Sequence, residues 1–116
     1  MIDGKRVLIV EDEFLVAAML EDELADHGAI VIGPAASRHE ATRLVAAGGF
    51  DAMVLDWNLD GESSEPLGHT LLGAGVPFVI STGYGTVPPA FADCPVLAKP
   101  YDPAALVALL AQLLAE

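Results

Sequence analysis

An α/β fold on a doubly wound, five-stranded parallel sheet is predicted by three features of the sequence. Short, uninterrupted apolar runs recur along the chain, stretches with helical periodicity and recognisable caps lie between them, and strand then helix alternates five times with no repeat or low-complexity tract. The runs Val7 to Val10, Ala52 to Leu55, Phe78 to Ile80 and Val96 to Ala98 are rich in Val, Ile, Leu or Phe, and Ile30-Val31-Ile32 makes a fifth. Continuous runs of this length suit strands buried on both faces, as in parallel sheets covered by helices.

The first helix is expected from about Glu13 to His27, with Val16, Met19, Leu20 and Leu24 on its inner face and Gly28 as its stop. The second opens at Ser37 with the capping-box spacing to Glu40, turns Ala41, Leu44 and Val45 inward, and ends at Gly48-Gly49. The third is expected over roughly Pro66 to Leu72, between Ser64 and Gly73. The fourth must fit between Thr86 and Cys94, where Pro88-Pro89 interrupts it, so it should be short or irregular. The last begins with Asp102 as N-cap and Pro103 in the first helical position, where the missing N–H costs nothing. Leu106, Leu109, Leu110, Leu113 and Leu114 then form one apolar face.

The 116 residues have the size of one domain, residues 1 to 116, large enough to bury a single core. No run reaches the roughly 18 consecutive apolar residues of a membrane span, and Met1-Ile2-Asp3-Gly4-Lys5-Arg6 leads into the fold without a signal-peptide core. The reading is a soluble, cytoplasmic chain. Seventeen Asp and Glu against five Lys and Arg give a formal charge of −12, which repels nucleic-acid backbones and anionic lipid and argues against direct binding to either. The single cysteine, Cys94, can form neither an internal disulfide nor, alone, a zinc site, and reads as structural.

In such sheets ligands sit beyond the carboxyl ends of the strands. Glu11, Asp12 and Glu13 follow the first strand, Asp56 the third, Ser81 and Thr82 the fourth, and Lys99 and Pro100 the fifth. Glu11, Asp12 and Asp56 would repel one another at close range unless a cation or a lysine sat among them. Few hard oxygen ligands favour Mg2+ over zinc, since His27, His39 and His69 lie outside the strand-end loops and match no ligand spacing. A phosphoryl group on Asp56 would need compensation for its oxygens, which Mg2+, the Lys99 ammonium and the Thr82 hydroxyl could supply.

Val10-Glu11-Asp12-Glu13, Leu55-Asp56-Trp57-Asn58, Ser81-Thr82-Gly83 and Ala98-Lys99-Pro100 together resemble the motifs of response-regulator receiver domains of the CheY-like kind. The resemblance covers essentially the whole chain and implies a flavodoxin-like (βα)5 fold with strand order 2-1-3-4-5. It implies that Asp12, Asp56 and the backbone carbonyl of Asn58 bind Mg2+, with Glu11 acting chiefly through water, and that Asp56 is the phosphoacceptor. Thr82 and Lys99 would contact the phosphoryl oxygens, and the Lys99-Pro100 peptide would be cis. The implied protein is a receiver without an output domain, not an enzyme in its own right, although it assists its own phosphorylation and dephosphorylation. Its donor would be a phosphohistidine on a sensor histidine kinase or phosphotransfer protein, its output the binding of a downstream protein, with homodimerisation left open.

Two departures stand out. Receivers usually carry Phe or Tyr three residues before the lysine, where this chain has Val96. Thr82-Gly83-Tyr84-Gly85 is similar to the FATGUY type of single-domain receiver, although Ile80-Ser81 replaces that group's Phe-Ala, and Tyr84 is either a substitute switch or an exposed loop residue. Glu13 reads as a helix-start carboxylate favoured by the macrodipole. The competing reading is a degenerate receiver that acts as a phosphorylation-independent interaction module. A flavin-phosphate site would be repelled by Glu11-Asp12-Glu13, and a haloacid-dehalogenase-type phosphatase would need Asp-x-Asp there.

Overall fold

The computed structural model describes residues 2–83, 86–100 and 102–115. Its elements are β1 (Arg6–Val10), α1 (Phe14–Asp26), β2 (Ile30–Ala35), α2 (Arg38–Ala47), β3 (Ala52–Asp56), β4 (Asn58–Leu59), β5 (Glu62–Ser63), α3 (Glu65–Ala74), β6 (Phe78–Thr82), a 3-10 turn (Pro89–Phe91), β7 (Val96–Ala98) and α4 (Pro103–Leu114). Five strands form one parallel sheet in the order β2-β1-β3-β6-β7, which is 2-1-3-4-5 when only that sheet's strands are counted. β4 and β5 make a separate antiparallel hairpin between β3 and α3.

The sheet divides two apolar layers. Val7, Ile9, Val54 and Val79 face Leu20 and Leu24 of α1 and Leu106 and Leu110 of α4. Leu8, Val10, Met53, Leu55 and Ile80 face Ala41 of α2, Leu67 and Leu71 of α3, and Phe91. This strict alternation is the pleat of strands covered on both sides. β2 departs from it: as an edge strand it leaves Ile30 47% exposed, and its Gly33-Pro34 bond is cis. Proline blunts such an edge by removing a donor.

The caps follow local chemistry. The Ser37 hydroxyl accepts from the Glu40 N–H at 3.1 Å, and the Asp102 carboxylate accepts from the Ala104 N–H at 3.0 Å. α1 turns Ala17 inward with Leu20 and Leu24, while Met19, expected on the inner face, is 44% exposed. α3 continues past Gly73 to Ala74 and ends at Gly75, whose φ of 71° is the left-handed conformation that suits glycine. The end closes beyond Gly73, where the Gly75 N–H donates to the Leu72 carbonyl at 3.2 Å and the Val76 N–H to the Leu71 carbonyl at 3.1 Å.

The fourth helix is reduced to the 3-10 turn, and Phe91 does its packing. That ring is fully buried, 4.9 Å from Trp57 in an edge-on contact. A β-carbon at Gly68 would come within 2.8 Å of it, so glycine on α3 is what admits the ring. Cys94 packs against the same layer, and burial raises its thiol pKa, consistent with a structural thiol. Among the described residues, no helix is long and apolar enough to cross a membrane.

Candidate functional site

β1, β3, β6 and β7 end side by side, and their last residues or the residues just beyond converge. Glu11, Asp12 and Asp56 each offer a carboxylate oxygen, all within 4.8 Å of one another. Glu11 and Asp56 are buried, and Asp12 is half-buried. Lys99 reaches in from the end of β7, with its Nζ 3.0 Å from Asp56 Oδ2 and 3.1 Å from Glu11 Oε1. Glu13 stands at the edge, 4.0 Å from the same ammonium and mostly exposed.

One ammonium among three carboxylates leaves the cluster short of positive charge. Burial, and then the neighbouring Glu11 charge, push the Asp56 carboxyl up from 3.8 to about 7 despite the opposing pull of Lys99. For Lys99, burial favours the neutral amine. Its hydrogen bonds and charge contacts with Asp56 and Glu11 outweigh that and hold its pKa above the ordinary 10.5.

Each carboxylate is also held by main-chain donors. Glu11 Oε2 accepts from the Glu13 N–H at 3.0 Å, Asp56 Oδ1 from the Asn58 N–H at 3.3 Å, and Asp12 Oδ2 from the Asp60 N–H at 2.9 Å. The Ser64 hydroxyl donates to the Asp56 carbonyl at 2.6 Å, which explains why this N-cap residue of α3 makes no side-chain cap. Thr82 is buried at the end of β6, and its carbonyl accepts from the Lys99 N–H at 2.8 Å, tying two of the strand ends together. The Lys99-Pro100 bond is cis. Val96 lies half-buried against the α2–α3 layer. Tyr84 lies outside the described residues.

Sequence reasoning missed three features here. The β4–β5 hairpin was signalled by Asp60-Gly61, a dipeptide suited to a tight turn with positive φ at both positions, and here the angles are 51° and 87°. Ser81 is the ladder partner of Asp56, and among the described residues its buried hydroxyl finds no hydrogen-bond partner, an arrangement that costs about 1–3 kcal/mol. Phe14 and Leu15, at the start of α1, are 82% and 80% exposed. Close by, Glu13, Val16, Met19, Lys99 and Pro100 line a groove of about 320 Å3.

The donor set fits a hard divalent cation. It consists of oxygens alone, two of its members are buried, and its negative charge exceeds what Lys99 neutralises.

No protein-family model matches the chain, and no curated protein does. Among solved structures, SdrG from Sphingomonas melonis Fr1 is similar at 40% identity over 97% of this chain and 98% of that one, with a TM-score of 0.83. The BeF3-activated conformation of SdrG, from Pseudomonas melonis Fr1, matches at 39% identity over 99% and 100% of the two chains, with a TM-score of 0.80. The REC domain of the PhyR response regulator from Erythrobacter litoralis matches at 30% identity over 97% of this chain and 91% of that one, with a TM-score of 0.80. With the sheet order, the acidic cluster and relatives of this identity in agreement, the chain belongs to the response-regulator receiver family.

Proposed function

We propose that the chain forms one receiver domain whose Asp56 accepts a phosphoryl group from a phosphohistidine of a histidine kinase or phosphotransfer protein. The carrying observation is a buried carboxylate held 3.0 Å from a lysine ammonium, with two more carboxylates within 4.8 Å. Asp12, Asp56 and the Asn58 carbonyl would hold Mg2+. Glu11, whose oxygens already engage Lys99 and the Glu13 amide, acts at longer reach. Bound Mg2+ would supply positive charge to the phosphoryl oxygens.

In the transfer, one carboxylate oxygen of Asp56 bonds to phosphorus as the phosphorus–nitrogen bond of the donor breaks, and the electron pair leaves with the imidazole. Lys99 exchanges its contact with the Asp56 carboxylate for one with a phosphoryl oxygen, and the Thr82 hydroxyl donates to another. The pull on Thr82 biases the loop after β6, and a downstream protein reads the altered surface. The same residues assist hydrolysis of the acyl phosphate.

The test is incubation with acetyl phosphate followed by intact mass measurement. A phosphoryl adduct is expected with Mg2+ and none in EDTA. Mg2+ binding without an adduct, from acetyl phosphate or from purified histidine kinases, would sink this reading in favour of a phosphorylation-independent interaction module. BeF3, which SdrG accepts, reports separately on whether the pocket can hold a phosphoryl mimic.

Phe14, Leu15 and the groove beside Lys99 offer an apolar landing place next to the acceptor. We assign them to docking of the donor protein. Leu15→Glu is expected to slow transfer from a phosphohistidine protein by ~10-fold or more, the effect of losing an apolar anchor, while leaving reaction with acetyl phosphate within about twofold. Equal slowing with both donors would refute the docking role.

A further inference from the structure

The β4–β5 hairpin meets the acidic cluster through main-chain amides. The Asn58 N–H holds Asp56 Oδ1 and the Asp60 N–H holds Asp12 Oδ2, so one short ribbon grips an oxygen on each of two carboxylates. The turn makes the second grip available: Asp60 and Gly61 both have positive φ, and the Gly61 N–H donates to Asn58 Oδ1 at 2.8 Å. A ribbon with two residues per strand has little stability of its own in water. Its return strand is tied to α2, where Arg38 Nη1 donates to the Ser63 carbonyl at 3.1 Å and Nη2 lies 3.9 Å from Glu62 Oε2.

We infer that Arg38 is a positioning residue for the divalent-cation site: by bracing the hairpin it keeps the Asp60 amide on Asp12 and so sets the affinity of the site and its preference for Mg2+. This rests on the reading of Asp12 and Asp56 as metal ligands. A carboxylate with one oxygen held by an amide presents the other in a fixed direction, and losing such an outer partner typically costs ~10–100-fold in metal affinity. Mg2+ demands near-ideal octahedral geometry, whereas Ca2+ accepts irregular and more numerous oxygens. A loosened Asp12 therefore penalises Mg2+ more than Ca2+.

Electrostatics gives the inference a sharp sign. Removing the positive charge of Arg38 by itself favours a bound cation, so simple charge effects make Arg38→Ala bind Mg2+ more tightly. Bracing makes the same variant bind it more weakly.

The experiment is titration of the full chain with Mg2+ and with Ca2+, in wild type, Arg38→Ala, Gly61→Val and Asp12→Ala, with hydrogen exchange followed at the Asp60 amide. Gly61→Val places a β-branched residue at a φ of 87° and breaks the turn directly. Mg2+ affinity is expected to fall ~3–10-fold in Arg38→Ala and ~10–100-fold in Gly61→Val. Ca2+ affinity should fall clearly less, and the Asp60 amide should exchange faster in both variants. Unchanged or tighter Mg2+ binding in Arg38→Ala, or equal losses for the two ions, overturns the inference while leaving the metal site intact. Wild type that binds neither ion, or Asp12→Ala that binds as wild type does, overturns the metal-site reading and the inference with it.

Discussion

Replacing Asp56 by asparagine is expected to have two effects: the phosphoryl adduct disappears, and the metal-free protein becomes more stable. The first follows because an amide oxygen is no nucleophile toward phosphorus. The second follows from linkage. The Asp56 carboxyl is raised to about 7 in the fold from an ordinary 3.8, so the folded state binds this proton more tightly than the unfolded chain does. Stability is therefore lost as pH rises from about 4 to about 7 and stays low above that window.

Asparagine nearly reproduces the protonated carboxyl and removes this dependence. At pH 4 the two proteins should be close in stability. At pH 8 in EDTA the variant should lead by on the order of 2–4 kcal/mol, or roughly 10 °C in Tm. Mg2+ should narrow the gap, because it stabilises the native state of the protein that binds it better. Thermal melts of both proteins across this pH range, with and without Mg2+, decide the matter. A gap that does not change with pH would show that Asp56 carries no such burden.

Much of the candidate site was legible in the sequence because the strand ends were. The strands of the sheet are nearly continuous apolar runs, so the first polar residue after each one marks a strand end, and parallel strands bring those ends to one edge. Val10-Glu11, Leu55-Asp56 and Ala98-Lys99 are such boundaries. Ser37 and Asp102 were legible as caps because a cap is a local bond between residues two or three apart.

What stayed hidden depends on partners distant in sequence. Met19 has the spacing of an inward residue, but α1 is rotated so that Ala17 takes the sheet side. Gly73 looks like a helix stop, yet α3 closes at Gly75, where the Gly75 and Val76 amides donate back to the Leu72 and Leu71 carbonyls. Ser64 looks like an N-cap, yet its hydroxyl is engaged by the Asp56 carbonyl eight residues back. The hairpin had a local sign in Asp60-Gly61, but nothing local shows that its amide meets Asp12.

Lys99→Met should expose how far the cluster depends on its half-buried counter-charge. Methionine keeps most of the aliphatic stem and removes the ammonium, leaving Glu11 and Asp56, with side chains 1% and 5% exposed, facing each other without it. Removing one partner of a buried ion pair typically costs ~3–5 kcal/mol, because the remaining charge is neither solvated nor paired. That cost applies only while both carboxylates are ionised. Without Lys99 the Asp56 carboxyl loses a lowering influence and must rise further, so the deficit should be largest near pH 8 and shrink toward pH 5 as the proton takes the ammonium's place. Mg2+ should then stabilise Lys99→Met more than it stabilises wild type, since the ion becomes the principal positive charge in the cluster. Melts of the two proteins at both pH values, with and without Mg2+, measure each expectation. A deficit independent of pH and untouched by Mg2+ would mean that Lys99 contributes its packed stem rather than its charge, and the electrostatic account of the cluster would fall.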